Sequence, residues 1–301
     1  MDKYQEMRVF AAVAEAGSFV AAADGLGMSK AAVSRHVSDL EQRLGVRLMH
    51  RTTRKLSLTS EGEVFLARSR EILASIEASE AELSTRSGTA SGLLKLSVPV
   101  SFGIRHLAPL WSEFMQAHPR VALDVQLADR VIDLVEEGFD LAVRIARLPD
   151  STLVSRKLAS TRAVLCAAPS YLQRRGAPRE PSEIAQHDII GYSLLAVGDQ
   201  WQFTGPDGPV SVKVRPRMWS NNGDTCTAAC IGGAGIQLQP TFLVARELAS
   251  GELVEVLPQY RSTEFGIYAL YPTRKFVLPK VRALVEFLSD RFADPPWGTP
   301  G

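Results

Sequence analysis

Cations crowd one short stretch of this sequence. Between residues 29 and 60 stand Lys30, Arg35, Arg43, Arg47, Arg51, Arg54 and Lys55, opposed only by Asp39 and Glu41, although the whole 301-residue chain carries a formal charge of just +1. Ammonium and guanidinium groups at that density neutralise phosphates, and a guanidinium also grips guanine in two places at once. The chemistry implied is the holding of nucleic acid, provided the surrounding elements put these groups on one face.

The other reactive side chains form no comparable constellation. His36, His50, His106, His118 and His187 are scattered, with no metal-ligand spacing and no evident partner for a nucleophilic serine. Gly232-Gly233-Ala234-Gly235 follows a helical stretch and precedes a strand, the reverse of a dinucleotide fingerprint, and reads as a tight turn. Neither an enzyme nor a metal or other cofactor is expected. Cys166, Cys226 and Cys230 are too few, and odd in number, for a disulfide scaffold. Cys226 and Cys230 lie one helical turn apart, and read either as a redox switch or as small residues packing a helix on a sheet. A disulfide across a regular turn would be strained, which favours packing.

Composition sets the frame. With 46% hydrophobic and 22% charged residues the chain is of ordinary globular type, and its length calls for two or three compact units. No apolar run approaches membrane-crossing length, and the start, Met1-Asp2-Lys3-Tyr4-Gln5-Glu6, lacks a secretion signal. A cytoplasmic location is expected.

The elements that must position the cations follow from local pattern. Met7, Phe10, Ala11, Val13 and Ala14 predict a helix over 3–16 that stops at Gly17. Ser18 is placed to cap an alanine-rich helix over 19–26, and Gly27 with Met28 makes the next turn. Ser29 caps a third helix, with Ala32, Val33, Val37, Leu40 and Leu44 as its buried stripe and Lys30, Ser34, Arg35 and Ser38 opposite, ending at Gly45. Two β-prone runs, 47–50 and 55–58, flank Arg51-Thr52-Thr53-Arg54 as a hairpin with a basic tip.

Helix, helix, turn, helix, hairpin is a winged helix-turn-helix, expected over 1–60. Such a unit puts the first residues of its third helix against base edges in the major groove, making Lys30, Ala31, Ser34 and Arg35 the candidates, Arg35 first. Arg35 either reads a guanine or touches phosphate. On the wing, Arg51, Arg54 and Lys55 meet phosphates or a narrow minor groove, and Ser18, Thr52 and Thr53 add neutral phosphate contacts.

Thr59-Ser60-Glu61-Gly62 opens a long helix reaching about residue 86, with Phe65, Ile72, Ile76 and Leu83 on one side. It either packs on its own chain or pairs with a second copy. The loose segment 87–92 that follows favours pairing, and 61–88 is taken as a linker and dimerisation helix. Beyond it the texture alternates: strand 94–98, helix 104–115, strand 121–127, helix 131–136 and strand 139–145. A second block has strands 163–167 and 210–214, helix 225–231 and strand 236–238, before a strand over 265–270 and a helix over 281–292. That order implies a mostly parallel sheet in two similar α/β lobes. A purely architectural DNA binder would not need them.

The residues resemble one family throughout the chain, the LysR-type transcriptional regulators. The likeness is densest in Met7-Arg8-Val9-Phe10, Glu15-Ala16-Gly17-Ser18-Phe19, Ala21-Ala22-Ala23, Ala32-Val33-Ser34-Arg35, Leu40-Glu41, Leu44-Gly45-Val46, Arg51-Thr52-Thr53-Arg54 and Leu58-Thr59. Weaker matches are Gly138-Phe139-Asp140-Leu141-Ala142-Val143-Arg144 and Gly233-Ala234-Gly235-Ile236. Ala31 departs from the proline many members carry there, which leaves the start of the third helix less defined.

The resemblance implies a two-lobed, periplasmic-binding-protein-like effector domain over 89–301, with lobe I at 93–162 and 264–292 and lobe II at 163–263. A small-molecule effector would lie between the lobes, with Ser101, Phe102, Arg144, Asn222 and Thr225 facing it; capping, core packing and a strand-end ion pair are their alternatives. Pro99-Val100-Ser101-Phe102-Gly103, at a helix start, suggests an anionic effector, although Asp224 would repel one if it faced the cleft. The implied partners are double-stranded DNA with an interrupted palindromic operator, further copies of the chain in a homodimer or homotetramer, and RNA polymerase if the chain activates; no membrane is implied. Effector binding would change the lobes or their assembly, and the linker helices would pass that change to the spacing of the DNA heads.

Overall fold

The computed structural model describes residues 2–51, 56–84, 90–130, 132–146, 154–194, 198–272 and 277–298. They divide into two compact units, one formed by Met1–Thr89 with Asp133–Gly138 and Arg274–Pro279, the other by the remainder.

In the first unit the helix boundaries follow from their caps. The Asp2 carboxylate accepts the amides of Tyr4 and Gln5 at 3.0 and 3.2 Å and starts α1 (Lys3–Ala16), where the helix dipole favours negative charge. Ser18 and Ser29 likewise cap α2 (Phe19–Leu26) and α3 (Lys30–Leu44). Gly17, Gly27 and Gly45 close the three helices in the left-handed conformation that glycine adopts without steric cost. Val9, Phe10 and Val13 of α1, Ala22 and Ala23 of α2, and Val33, Val37 and Leu40 of α3 share one buried core.

The wing is an antiparallel ribbon of β1 (Met49–Arg51) and β2 (Leu56–Leu58), with Met49 opposite Leu58. These strands are shorter than the predicted runs. Next comes α4 (Ser60–Ser84), 25 residues long. Its first turns pack on their own chain: the Phe65 ring lies 5.5 Å from that of Phe10, and Leu66 is buried. Farther along, Ile72 is exposed. Entry into α4 demands glycine, because a Cβ on Gly62 would lie 2.0 Å from the Leu48 carbonyl oxygen.

The second unit opens with β3 (Gly92–Val98) and α5 (Val100–Phe102). From α5 the chain winds through a π-helical turn, Gly103–Leu107, and a 3₁₀ turn, Ala108–Leu110, into α6 (Trp111–Ala117). Pro109, lacking an amide hydrogen, falls at the tightened turn. Then follow β4 (Val121–Leu127), β5 (Leu141–Ala146), β6 (Val154–Ala167), α7 (Pro169–Arg175) and a 3₁₀ segment, Pro181–Gln186. The chain continues through β7 (Ile189–Tyr192), β8 (Gln200–Gly205), β9 (Gly208–Lys213), β10 (Pro216–Ser220), α8 (Gly223–Ile231) and β11 (Ile236–Pro240). It finishes with α9 (Thr241–Ser250), β12 (Val254–Glu255), β13 (Glu264–Tyr271) and α10 (Pro279–Arg291).

The main sheet runs β10-β7-β11-β6-β13-β5-β3-β4, with β12 also on β6. It is mixed, not mostly parallel. The parallel pairs are β3 with β4 and β5, and β7 with β10 and β11, whereas β13 pairs antiparallel with both β5 and β6. The cause is β6, whose 14 residues far exceed the predicted 163–167. Its first part pairs with β13 as far as Arg162 opposite Glu264, and from Ala163, opposite Pro240, it pairs with β11. One strand thus carries the chain between two halves of the sheet, and β13 brings it back.

Two other expectations fail for local reasons. The predicted helix over 131–136 is a series of turns at 134–138: the Asp133 carboxylate takes the Val135 and Glu136 amides, and Gly138 turns at φ +71°. Val131 lies outside the described residues. The predicted strand 210–214 corresponds to β9, which among the described residues pairs only with β8, in a separate ribbon, burying Trp201, Phe203 and Val212. Among the described residues, no helix is long and apolar enough to cross a membrane.

Candidate functional site

On α3 the stripe Val33, Val37 and Leu40 faces the core, which turns the other side outward. Lys30, Ala31 and Arg35 are exposed and Ser34 is half-buried. Their spacing, i, i+1, i+4 and i+5, places all four along one face at the helix N-terminus. The Ser29 hydroxyl accepts the Ala32 amide at 3.2 Å, so the helix starts without a proline at position 31.

The basic cluster is thinner than the sequence implies. Arg43 is turned back onto Glu6, 2.6 Å away and 1% exposed, whereas Arg47 touches Glu41 at 3.4 Å and stays 76% exposed. Glu41, read from sequence only as a counter-charge, ties the wing to α3: its carboxylate accepts the Leu48 and Met49 amides at 2.9 and 3.1 Å. Thr59 completes the joint, donating its hydroxyl to the Arg47 carbonyl at 2.8 Å and accepting the Gly62 amide at 2.9 Å. Arg51 belongs by its backbone to β1, opposite Leu56. Thr52, Thr53, Arg54 and Lys55 lie outside the described residues. Ser18 caps α2, accepting the Val20 and Ala21 amides at 3.3 and 3.4 Å.

In the second unit, the helical run that follows β3 meets α8 and α9, which follow β10 and β11, along one seam, the crevice between the two halves of the sheet. Arg105 clasps it. Its Nε donates to Asp224 at 2.7 Å, and its Nη1 donates to Glu247 at 3.0 Å and to the Leu243 carbonyl at 2.9 Å. Burial opposes the charge of Arg105, but the bonds to Asp224 and Glu247 outweigh it and raise the guanidinium's pKa. Next to it, His106 Nε2 donates to the Phe242 carbonyl at 2.8 Å, and burial pulls its pKa below the ordinary value.

The five residues nominated for the effector are not equivalent. Phe102 is fully buried, against Phe242, Phe292, Trp297 and His106, at centroid distances of 5.2 to 5.7 Å. It packs a core and does not face an opening. Arg144 is held by Ser97, bonding its carbonyl at 3.2 Å and its hydroxyl at 2.9 Å, and by the Val143 carbonyl at 2.7 Å. Asn222 caps α8, accepting the Thr225 amide and hydroxyl at 2.9 and 3.0 Å. Ser101 is buried within α5. Asp224, which would repel an anion if it faced the cleft, is bound to Arg105.

What sequence reasoning missed is Asp129, just past β4, whose carboxylate accepts the Val100 amide at 3.0 Å. Tyr192 was missed as well. Burial first, then the charges of Asp129 and Cys226, push its phenol up to about 12. A carboxylate at the carboxyl end of a parallel strand is the signal that was available.

The three cysteines are all buried. Cys226 Sγ contacts the Gly191 carbonyl at 3.7 Å, and Cys230 Sγ contacts those of Cys166 and Gly235 at 3.6 and 3.4 Å. Burial raises the pKa of Cys226; contact with Cys166, then burial, raises that of Cys230. Reactive thiols need the opposite conditions, exposure and a lowered pKa, so the arrangement is that of packing.

A helix-turn-helix with a wing, followed by a sheet in two halves that meet at a crevice, defines a DNA-binding regulator with a small-molecule domain. Comparison with known proteins agrees. The family described as bacterial regulatory helix-turn-helix protein, lysR family, matches residues 4–63, and the LysR substrate binding domain matches residues 87–293. The regulator PtxR of Pseudomonas aeruginosa is 35% identical over 288 residues, covering 96% of this chain and 92% of that protein. DmlR of Escherichia coli is 35% identical over 295 residues, with 96% and 94% covered. Among solved structures, CrgA of Neisseria meningitidis, a LysR-type transcriptional regulator, superposes with a TM-score of 0.63 at 32% identity, over 97% of this chain and 99% of that one. The full-length Vibrio cholerae virulence activator AphB gives 0.61 at 28%, over 97% and 100%.

The chain belongs to the LysR family of transcriptional regulators, which are not enzymes. It has the family's architecture, a DNA-binding head and a two-lobed substrate-binding domain, and such regulators bind DNA and small-molecule effectors and form oligomers.

Proposed function

We propose that this regulator reads an interrupted palindromic operator in the cytoplasm, as a homodimer or homotetramer, and answers to a small molecule taken up between its two lobes. The observation that carries this reading is the outward face of α3, where Lys30, Ala31, Ser34 and Arg35 project from the helix N-terminus while the opposite stripe is buried. In that geometry Arg35 meets a base edge, and Lys30 and the wing's Arg51, Arg54 and Lys55 supply phosphate contacts. Ser18, Thr52 and Thr53 add neutral contacts.

The division of labour follows the sequence: DNA reading by 1–60, pairing by 61–88, and sensing by 89–301, with lobe I at 93–162 and 264–292 and lobe II at 163–263. The handover of β6 from β13 to β11 after Arg162 supports the lobe boundary. Exposed apolar residues on α4, Val64 and Ile72, support pairing with a second copy. Effector binding at the crevice shifts the lobes, and α4 carries the shift to the heads; RNA polymerase is the further partner when the outcome is activation. Of the nominated residues, Ser101, Arg144, Asn222 and Thr225 are kept as candidates for the effector, Asn222 and Thr225 at the start of α8 and Ser101 in α5. An anionic ligand at the start of α5 is disfavoured, because the Asp129 carboxylate already takes the Val100 amide.

The test is selection of bound fragments from genomic DNA by the purified chain at stated salt, competed with unrelated DNA. A shared palindrome with half-sites about one helical turn apart is expected. Fragments that fail to outcompete bulk DNA would remove sequence-specific reading.

A further inference from the structure

The groups gathered at the crevice have a definite polarity. Asp129 Oδ1 accepts the Val100 amide, so one carboxylate of the protein already occupies the start of the helical run from Val100 to Ala117. The residue is half-buried, and among the described residues no cation is paired with it. Three guanidinium groups of the domain are engaged by other partners: Arg105 by Asp224 and Glu247, Arg144 by Ser97, and Arg162 by Glu255 at 2.7 and 3.1 Å.

Across the crevice the Asp224 and Glu247 carboxylates are taken up by Arg105, and two neutral groups remain. Gln237 of β11 pairs with Ile190 of β7 at the end of their ladder, and two residues further along each strand Gln239 and Tyr192 share the same face. Gln239 is 2% exposed, and its Nε2 has no hydrogen-bond partner in the structure. A buried donor left unpaired is destabilising, and a ligand acceptor relieves that cost. Gln239 lies beneath the start of α8, where its Oε1 is 3.6 Å from the place a Cβ on Gly223 would take. Tyr192, held in its neutral form, adds a hydroxyl.

We propose that Asp129 makes the crevice selective for a small molecule presenting a hydrogen-bond donor, an ammonium above all, with a neutral acceptor directed at Gln239 and Tyr192. A lone carboxylate would face Asp129 with like charge. This inference rests on the crevice being the effector site.

The test is binding of a matched four-carbon series, putrescine, 4-aminobutanol, butane-1,4-diol, 4-hydroxybutyrate and succinate, to the full-length chain at millimolar concentration, read by calorimetry and thermal shift. Asp129→Asn retains an acceptor for the Val100 amide and removes the charge; near-ultraviolet circular dichroism checks that it folds. The ammonium compounds are expected to bind the unaltered protein, 4-aminobutanol best, and to bind Asp129→Asn at least tenfold more weakly, while the carboxylates gain. Carboxylates that bind the unaltered protein as well as the amines do, or ammonium compounds that fail to bind it, would overturn the proposal. Gln239→Leu and Tyr192→Phe separate the two failures. If they weaken a carboxylate that binds, the crevice stands as the effector site and the charge assignment falls. If they leave every bound compound unaffected, the crevice reading falls too.

Discussion

Replacing Arg105 with methionine keeps the apolar length of the side chain and removes every donor of the clasp. The two acidic partners then respond differently. Asp224 is 36% exposed, water takes over its solvation, and that pair is worth no more than about 1 kcal/mol. Glu247 is 9% exposed and its Oε2 has no partner, so losing Arg105 strands a buried carboxylate. Breaking a buried pair from one side costs about 3 to 5 kcal/mol. With Arg105 itself 27% exposed, the lower end applies, about 3 kcal/mol. For a unit of this size that corresponds to a fall in Tm of roughly 6 to 12 °C. The assay is equilibrium urea unfolding followed by the fluorescence of the buried Trp201 and Trp297, with Arg105→Met and Arg105→Met/Glu247→Leu side by side. The second substitution should return at least about half of the loss, because it removes the stranded charge. If Arg105→Met costs under about 1 kcal/mol, or Glu247→Leu deepens the loss, the clasp does not stabilise the domain as argued.

Three further outcomes follow from the same geometry. Gly62→Ala drives a methyl into the Leu48 carbonyl and should destabilise the head by about 2 kcal/mol despite the better helix propensity of alanine, measurable by thermal unfolding of the full chain. His106 has a folded pKa below its unfolded value of about 6.5, so its contribution is complete above that pH and is lost as pH falls through the folded value; His106→Gln, which keeps a donor for Phe242, should flatten that part of the stability profile. The thiols of Cys166, Cys226 and Cys230 should react with a maleimide only in denaturant, and peroxide should leave DNA affinity unchanged; rapid labelling of the native chain would reopen a redox role.

The head was legible because its signals are local. Ser18 and Ser29 lie immediately before the helices they cap, and Gly17, Gly27 and Gly45 lie immediately after helices, so α1, α2 and α3 have the predicted limits. The second unit was less so. The first part of β6 carries the exposed polar residues Ser155, Arg156 and Lys157, which concealed a strand whose partner, β13, lies a hundred residues further on. Asp133 and Gly138 look like ordinary residues of a helical run until the carboxylate is seen to take two amides. The crevice was the hardest to read. Phe102 matches an effector position by its place in the chain, but Phe242, Phe292 and Trp297 converge on it from distant segments, and the Arg105–Asp224 bond spans 119 residues. Charge counting likewise overstated the basic face, since only the fold shows Arg43 turned onto Glu6.

The central claim is that α3 reads sequence through Arg35, and the most direct measurement is the affinity of Arg35→Ala for the selected operator and for bulk DNA at one salt concentration. A specific base contact predicts an operator affinity lower by about 5- to 150-fold, equivalent to about 1 to 3 kcal/mol, with relaxed preference at one base pair and little change on bulk DNA. An equal loss on both DNAs, with base preference intact, would make Arg35 a phosphate contact and contradict the account.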